Sequence, residues 1–308
     1  MQLSYTKKQI FVIITIDRSS KNMNKKQISI IVIIFSLFWS LYSNEINTTY
    51  STNTAELLEV YFLDVGQADS ILIRNNEESM LIDAGNNEDG KLISNYLKSL
   101  NINTFKYLVG THPHEDHIGG LDNIINDFNI NNIYLPDAIT TTKTFVEVLD
   151  AMENKNITYQ VPKIGETFKV GDANIEVIYT GTDTSDLNNT SIILKLDFGN
   201  TSFLFTGDAT DKTEKIILTK NIQANVLKVG HHGSKYSTTN EFLDKVNPKY
   251  AVISVEEPNS YGHPHHETLT KLNTRDINYY RTDEKGTILM TSDGTNINIT
   301  NIKTNTNG

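Results

Sequence analysis

The chain has 308 residues, with 27 basic side chains against 37 acidic ones and no cysteine, for a net charge of −10. The lack of cysteine excludes a disulfide framework, thiolate metal sites and a lipid-modified cysteine anchor. Residues 1–44 hold six basic and one acidic side chain, leaving 21 against 36 in the remainder; so acidic a body argues against a non-specific grip on long nucleic acid, which relies on Lys and Arg to neutralise phosphates.

The N-terminal segment reads apart from the rest. Lys25 and Lys26 precede Ile28 to Tyr42, a run of 15 mostly apolar residues without a charge, and a linker rich in Ser, Thr and Asn follows. Spanning a bilayer takes about 20 residues, so the pattern predicts an export signal. Left uncleaved, it becomes a membrane anchor with Trp39 and Tyr42 at the interface. Met23, directly before Asn24, Lys25 and Lys26, makes a more ordinary start than Met1. The organisation expected is residues 1–50 as signal or anchor plus linker and 51–308 as one domain, extracellular or on the outer face of the cytoplasmic membrane. About 250 residues suffice for a single two-sheet domain with a substantial core.

From there β-type and helical runs alternate. Strands are predicted at Leu57 to Val65 and Ser70 to Ile73, then a helix at Lys91 to Leu100. The apolar run Phe105, Tyr107, Leu108, Val109 predicts a strand ending at Thr111, which opens T-H-P-H-E-D-H-I-G-G, Thr111 to Gly120. Side chains two apart in extended backbone point alike, so His112 and His114 share a side and can pinch one metal ion. Pro113 favours the extended course, and Gly119 and Gly120 let the chain turn tightly into the next helix. Asp116 and His117 fall on that turn, within reach of a second ion.

Helices follow at Leu121 to Phe128 and Thr144 to Glu153, and strands at Ile175 to Tyr179, Ile192 to Phe198 and Thr201 to Phe205. The last of these delivers Gly207 and Asp208 at its end. Asp208 reads either as a carboxylate bridging two metals or as the N-cap of the helix predicted at Asp211 to Lys220. Another strand, Asn225 to Val229, runs into G-H-H-G-S, where glycines on both sides of His231 and His232 let backbone approach a ligand closely. Helix Glu241 to Val246, strand Ala251 to Val255, helix Glu267 to Asn273 and strand Thr287 to Met290 complete the series. Gly171-Asp172, Gly199-Asn200 and Asp293-Gly294 signal hairpins. The mixture fits two β-sheets packed face to face with helices outside.

All eight histidines fall in three clusters: His112, His114 and His117; His231 and His232; His263, His265 and His266. Imidazole gathered this tightly, in company with Asp116 and Asp208, points to metal binding, and the donor set suits zinc, manganese or iron. Lys228 and Lys235 flank the second cluster and read as a small positive rim or, more commonly, as solvated surface lysines. No stacking array of aromatic residues is evident.

In order along the chain stand F-L-D-V-G-Q-A-D-S-I-L-I (Phe62 to Ile73), L-I-D-A-G (Leu81 to Gly85), the H-x-H-x-D-H motif, T-G-D (Thr206 to Asp208), L-K-V-G-H-H-G-S (Leu227 to Ser234), Y-G-H-P-H (Tyr261 to His265) and R-T-D-E-K-G-T-I (Arg281 to Ile288). Through these segments, from about Glu59 to Ile302, the chain resembles metallo-β-lactamase-fold hydrolases, most closely the ComEC or competence-type branch. The resemblance implies an α/β fold, a four-layer αβ/βα sandwich of two mixed β-sheets with outer helices. It implies that His112 and His114 hold one metal, that Asp116, His117 and His232 hold the other, and that Asp208 bridges them. His231 and His263 would face substrate, and Asp83 would brace the metal loops from behind. The cofactors expected are two divalent ions, Zn2+ or else Mn2+.

Three departures stand beside the likeness. Where the broader fold supplies a further histidine, this chain reads N-N-T-S, Asn188 to Ser191, with no imidazole; competence-type relatives look similar in lacking it. Ala68 stands where the relatives usually carry glycine. No segment here reads as the membrane channel that accompanies this domain in competence proteins, so a DNA-channel role is not expected to transfer.

The expected chemistry is hydrolysis by a metal-held hydroxide, since a divalent ion brings the pKa of water from about 15.7 to about 7. Asp116 is expected to orient the water, and His231 or His263 to donate to a phosphoryl oxygen or protonate the leaving group. A purely structural His263 in its tight turn is the competing view, and His265 and His266 read as caps or surface. The expected partner is a phosphoester small molecule or a nucleic-acid end, with the membrane engaged through an uncleaved N-terminal segment; no protein partner is indicated. The alternatives are a thioesterase or lactonase of the same fold, and a non-catalytic metal-dependent binding module motivated by the missing imidazole near Asn189.

Overall fold

The computed structural model describes residues 57–302. The expected signal or anchor at Lys25 to Tyr42, both candidate starts and the polar tail lie outside the described residues. Among the described residues, no helix is long and apolar enough to cross a membrane.

The first half runs β1 (Leu58–Phe62), β2 (Ile71–Asn75), β3 (Glu78–Ile82), α1 (Gly90–Ser99), β4 (Thr104–Phe105), β5 (Tyr107–Val109), α2 (Glu115–Ile118), α3 (Leu121–Asp127), β6 (Asn129–Ile130), β7 (Ile133–Tyr134), α4 (Lys143–Asn154) and β8 (Tyr159–Gln160). The second runs β9 (Thr167–Val170), β10 (Ala173–Tyr179), β11 (Ile193–Phe198), β12 (Thr201–Phe205), α5 (Asp211–Ile217), β13 (Val226–Lys228), α6 (Asn240–Val246), β14 (Tyr250–Ile253), α7 (His266–Asn273), β15 (Asn278–Arg281), α8 (Thr282–Lys285), β16 (Thr287–Ser292) and β17 (Ile297–Ile302). One sheet has the order β17-β16-β1-β2-β3-β5-β7-β8 and the other β15-β14-β13-β12-β11-β10-β9, with β4 and β6 forming a separate short pair.

The layers follow from the two-residue period of a strand, which sends alternate side chains to opposite faces. In β2, Ile71 and Ile73 pack into the core between the sheets, whereas Leu72 packs into an outer cluster with Ile93, Leu97, Leu121, Ile124 and Val148 of the helices. In β12, Phe203 and Phe205 face inward and Leu204 faces Ile217, Phe242, Leu243 and Leu272. The result is helix, sheet, sheet, helix, the four-layer α/β sandwich that the resemblance implies. Each fully buried Phe or Leu in these clusters contributes about 1.5–3 kcal/mol of hydrophobic stabilisation.

Strand direction places the site. β12, β13 and β14 are parallel, so their carboxyl ends share one edge of their sheet. β3 and β5 are parallel in the other sheet, and antiparallel β2 begins where β3 ends, with Ile71 opposite Ile82.

The three hairpin signals lie where expected, between β9 and β10, β11 and β12, and β16 and β17, with Gly171, Gly199 and Gly294 at positive φ. Other elements differ. The strand predicted at Leu57 to Val65 stops at Phe62, with one further in-register bond from the Leu63 amide to the Ser70 carbonyl. The helix predicted to Lys220 stops at Ile217. The sequence reading assigned no strand to Glu78–Ile82, which opens on polar residues and is completed by parallel pairing with β5. Two-residue strands such as β7 and β8 exist through sheet pairing and leave no periodicity to read.

Candidate metal centre

β5 ends at Val109, two residues earlier than expected, so His112 and His114 lie on the loop beyond it. His114 keeps extended backbone (φ −83, ψ 152), and the two rings meet with His112 Nε2 and His114 Nδ1 3.0 Å apart. Asp116 and His117 sit not on an open turn but within α2, a single helical turn. Gly119 has helical φ (−56), and a Cβ on it would lie 2.3 Å from the backbone of Asn86 and Asn87; on Gly120 it would lie 2.4 Å from the Ala84 carbonyl oxygen. These glycines therefore supply room for α2 to press on the Ala84–Asn87 loop rather than the freedom to turn, which corrects the expectation.

Asp208 leaves the end of β12, and the cap of α5 is Thr210 instead, so the N-cap reading of Asp208 does not hold. The Thr206 hydroxyl donates to the Lys228 carbonyl (2.8 Å), and the His231 amide to the Gly207 carbonyl (3.2 Å), which hold the β12 and β13 ends together. In the tight turn Gly230–Gly233, His231 (φ 51, ψ 48) and His232 (φ 52, ψ 25) are both left-handed. Such backbone costs about 1–3 kcal/mol per residue and persists only where surroundings enforce it.

These loops from two sheets converge. Asp116, His117, Asp208 and His232 offer ligand atoms that all lie within 4.8 Å of one another. His117 Nε2 is 3.2 Å from Asp208 Oδ1 and 3.9 Å from Asp116 Oδ2; His232 Nε2 is 3.2 Å from Asp116 Oδ2 and 3.7 Å from Asp208 Oδ1. Each ring's other nitrogen is engaged from behind, His117 Nδ1 with Asp83 Oδ2 (2.8 Å) and His232 Nδ1 with the Ser254 carbonyl (2.9 Å). Such partners fix the tautomer that leaves Nε2 for a metal. Asp83 also accepts from the Thr111 amide and hydroxyl, each at 2.7 Å, so it braces the motif as the resemblance implies.

The arrangement fits a cation. His117 Nε2, His232 Nε2 and Asp208 Oδ1 are buried without a hydrogen-bond partner, and buried polar atoms in that state are costly unless something satisfies them. The His112 ring packs on both neighbours of its motif, with centroids 4.7 Å from His114 and 4.1 Å from His117. His231 is half-buried; its Nε2 lies 3.6 Å from Asp208 Oδ2, so the second oxygen of that carboxylate faces His231.

Charge in the cage is strongly coupled. Burial pulls His117 and His232 down, but Asp208 above all, with Asp83 and Asp116 at His117 and Asp116 and Asp69 at His232, outweighs it and raises both imidazoles. Burial pushes Asp208 and Asp116 up, yet the facing imidazoles hold both below the usual carboxylate range. Burial and the neighbouring His117 hold His112 well below 6.5, the neutral state a ligand needs. Metal-free, the cage thus keeps protons on His117 and His232 to a pH above the ordinary imidazole value. A metal ligand must be deprotonated, so metal uptake is expected to release protons. Affinity should rise with pH through and above 6.5, by about tenfold per unit for each proton displaced. Calorimetric titration with Mn2+ in two buffers of different protonation enthalpy checks this; a pH-independent affinity would contradict it.

His263 is buried beside these groups, its centroid 5.4 Å from His231 and 6.4 Å from His232, with Gln67 Nε2 3.4 Å from its Nδ1. Burial, then His232, His231 and His265, pull it down to about 4, so at neutral pH it offers a hydrogen bond rather than a mobile proton. His265 occupies the N-cap position of α7 and accepts from the Lys235 amide (3.2 Å), and His266 is exposed. Asn189, where the further histidine is absent, is buried and accepts from the Thr210 and Thr213 hydroxyls, while the nearby Ser191 hydroxyl accepts from the Asp208 amide.

Lys228 is not a surface residue. Alternation in β13 turns it inward like Val226, and it is 1% exposed, its Nζ 2.7 Å from the equally buried Asp69. The sequence reading gave Asp69 no part. The signal was a lysine between Leu227 and Val229 in a strand otherwise read as buried, which requires a carboxylate partner.

The metallo-beta-lactamase superfamily pattern matches residues 63–256. ComE operon protein 3 of Bacillus subtilis (strain 168) is 30% identical over 251 residues, covering 75% of this chain and 32% of that protein. Competence protein ComA of Neisseria gonorrhoeae is 27% identical over 231 residues, covering 73% and 31%. The chain therefore spans about a third of the length of these relatives. Among solved structures, the metallo-beta-lactamase fold protein YhfI from Bacillus subtilis superposes with a TM-score of 0.51 at 12% identity, covering 77% of this chain and 100% of that one, a likeness of fold.

Proposed function

This chain belongs to the metallo-beta-lactamase superfamily, and we propose that it is a metal-dependent hydrolase of small phosphoesters with a dinuclear centre. The observation that carries the reading is the cage itself: Asp116, His117, Asp208 and His232, brought from three separate loops of two sheets, with orphaned donor atoms aimed at one another. In this reading those four would hold one ion, and His112 and His114 would hold a second. Divalent ions at such a centre acidify water and polarise an ester oxygen.

The protein's own groups do the rest. Asp116 is the less buried of the cage carboxylates and lines a groove of about 1190 Å³, so it is placed to accept a hydrogen bond from an incoming water and orient it. His231 and the neutral His263 stand together at the cage and offer hydrogen bonds to a phosphoryl oxygen. The groove is lined by carboxylates, among them Asp64, Glu88, Glu115 and Glu256, and by no lysine or arginine among the described residues. A polyanion would be repelled along it, which favours a small phosphodiester or phosphomonoester over a nucleic-acid strand.

Export belongs to the same proposal and is supported by the Lys25 to Tyr42 pattern alone; it puts the domain on or beyond the outer face of the cytoplasmic membrane. The likeness to competence proteins supports kinship.

Turnover of bis-(p-nitrophenyl) phosphate with added Mn2+ or Zn2+, abolished by chelation, is the expected result. Turnover of thioesters or lactones alone would move the assignment to those esters. Silence across all three substrate classes in metal-loaded protein would replace the enzyme with a metal-dependent binding module.

A further inference from the structure

We infer that Asp69 and Lys228 are a positioning pair that locks the two halves of the cage against each other, an inference that rests on the metal-centre reading. Asp69 precedes β2 in one sheet and Lys228 closes β13 in the other, so their 2.7 Å ion pair crosses the sandwich beneath the site. Asp69 touches the Asp116 loop and the His232 turn, two of the three segments that supply ligands. Its amide donates to the Asp116 carbonyl (3.0 Å), its carbonyl accepts from the Gly85 amide (2.8 Å), and its Oδ1 lies 3.7 Å from His232 Nδ1. Lys228 in turn donates to the Val229 carbonyl (3.1 Å), at the root of the turn that carries His231 and His232.

Stability alone does not account for such a pair. A buried salt bridge must offset the desolvation of both ions, and apolar replacements of similar volume are often neutral or stabilising. Nor does Asp69 act as a ligand. With Asp83 and His117 it forms a second group of close donor atoms, but there Asp83 Oδ2 and His117 Nδ1 already engage each other at 2.8 Å, and the Lys228 ammonium stands at Asp69 Oδ2 as a tethered cation. What remains is geometry: the pair sets the separation between the Asp116 loop and the His232 turn.

The test uses the single variants Lys228→Met and Asp69→Asn and their double variant, each compared with wild type. The readouts are the unfolding midpoint of the metal-free protein, Mn2+ affinity by calorimetry and the absorption spectrum of the Co2+ derivative. The singles, which strand one buried charge, should unfold earlier, and the double variant should regain most of that loss. The double variant's metal affinity should nonetheless stay about 10–100-fold below wild type, as for other groups that support ligands from behind, with a shifted Co2+ spectrum. Asp69→Asn keeps the side-chain volume and both backbone hydrogen bonds, so it carries the same affinity and spectral readouts if the lysine variants fail to fold. A variant with a wild-type Co2+ spectrum and affinity within about twofold of wild type would overturn the positioning role and leave the metal centre standing. Wild-type protein that takes up no metal would overturn both.

Discussion

Asp208→Ala is expected to lower both metal affinity and phosphodiester turnover by more than about 100-fold, beyond the upper end of what supporting residues give. The reason lies in its contacts. Asp208 Oδ1 faces His117 Nε2 at 3.2 Å and His232 Nε2 at 3.7 Å, and Oδ2 faces His231 Nε2 at 3.6 Å, so one carboxylate serves three imidazoles. Its removal also takes away the negative charge that keeps His117 and His232 protonated without metal. Breaking a buried pair outright costs about 3–5 kcal/mol, and the imidazoles soften that by giving up their protons, so the metal-free variant should lose stability at the low end of the range. His266→Ala, at an exposed position, should leave both quantities within about twofold, as ordinary surface substitutions do. Metal content by mass spectrometry beside bis-(p-nitrophenyl) phosphate kinetics decides the matter. Activity that survives in both Asp208→Ala and His114→Ala would sink the metal mechanism.

Gly119→Ala should be a strongly damaging single-methyl change at the site. The added carbon would stand 2.3 Å from the backbone of Asn86 and Asn87, and backbone, unlike a side-chain tip, cannot rotate away. Overpacking of this kind costs about 1–3 kcal/mol and occasionally more; the upper end is expected here. For a domain of this size, about 3 kcal/mol corresponds to a fall in Tm of about 6–12 °C. Because α2 carries Asp116 and His117, metal affinity should fall with it. Gly165→Ala separates sterics from backbone preference. Gly165 has φ +84, but a methyl carbon added there would find nothing within 4 Å, so only left-handed strain of about 1–2 kcal/mol applies, with metal affinity unchanged. Thermal unfolding and calorimetry on both variants test the contrast, and equal losses of metal affinity in the two would refute it.

Much of the site was legible in the sequence because its residues are bound to local geometry. His112 and His114 stand two apart in one short motif, and Asp208 and His232 each follow within a few residues of an apolar strand. Those relations depend on a few consecutive dihedrals and need no knowledge of the partner sheet. The hairpins at Gly171, Gly199 and Gly294 were legible for the same reason.

Other features depend on how the two sheets register on each other. The alternation of β2 and β12 told which side chains share a face, and the four layers followed once helices were placed over the outer faces. That Lys228 turns inward to meet Asp69, that Gly119 and Gly120 serve close approach to the Ala84–Asn87 loop, and that the second oxygen of Asp208 faces His231 were decided by tertiary structure alone. The physical reason is range. Strand period, turn chemistry and motif spacing are set by neighbouring residues, whereas burial of a charge, clearance around a glycine and the aim of a carboxylate are set by atoms that distant segments bring within a few ångströms once the core between the sheets has closed.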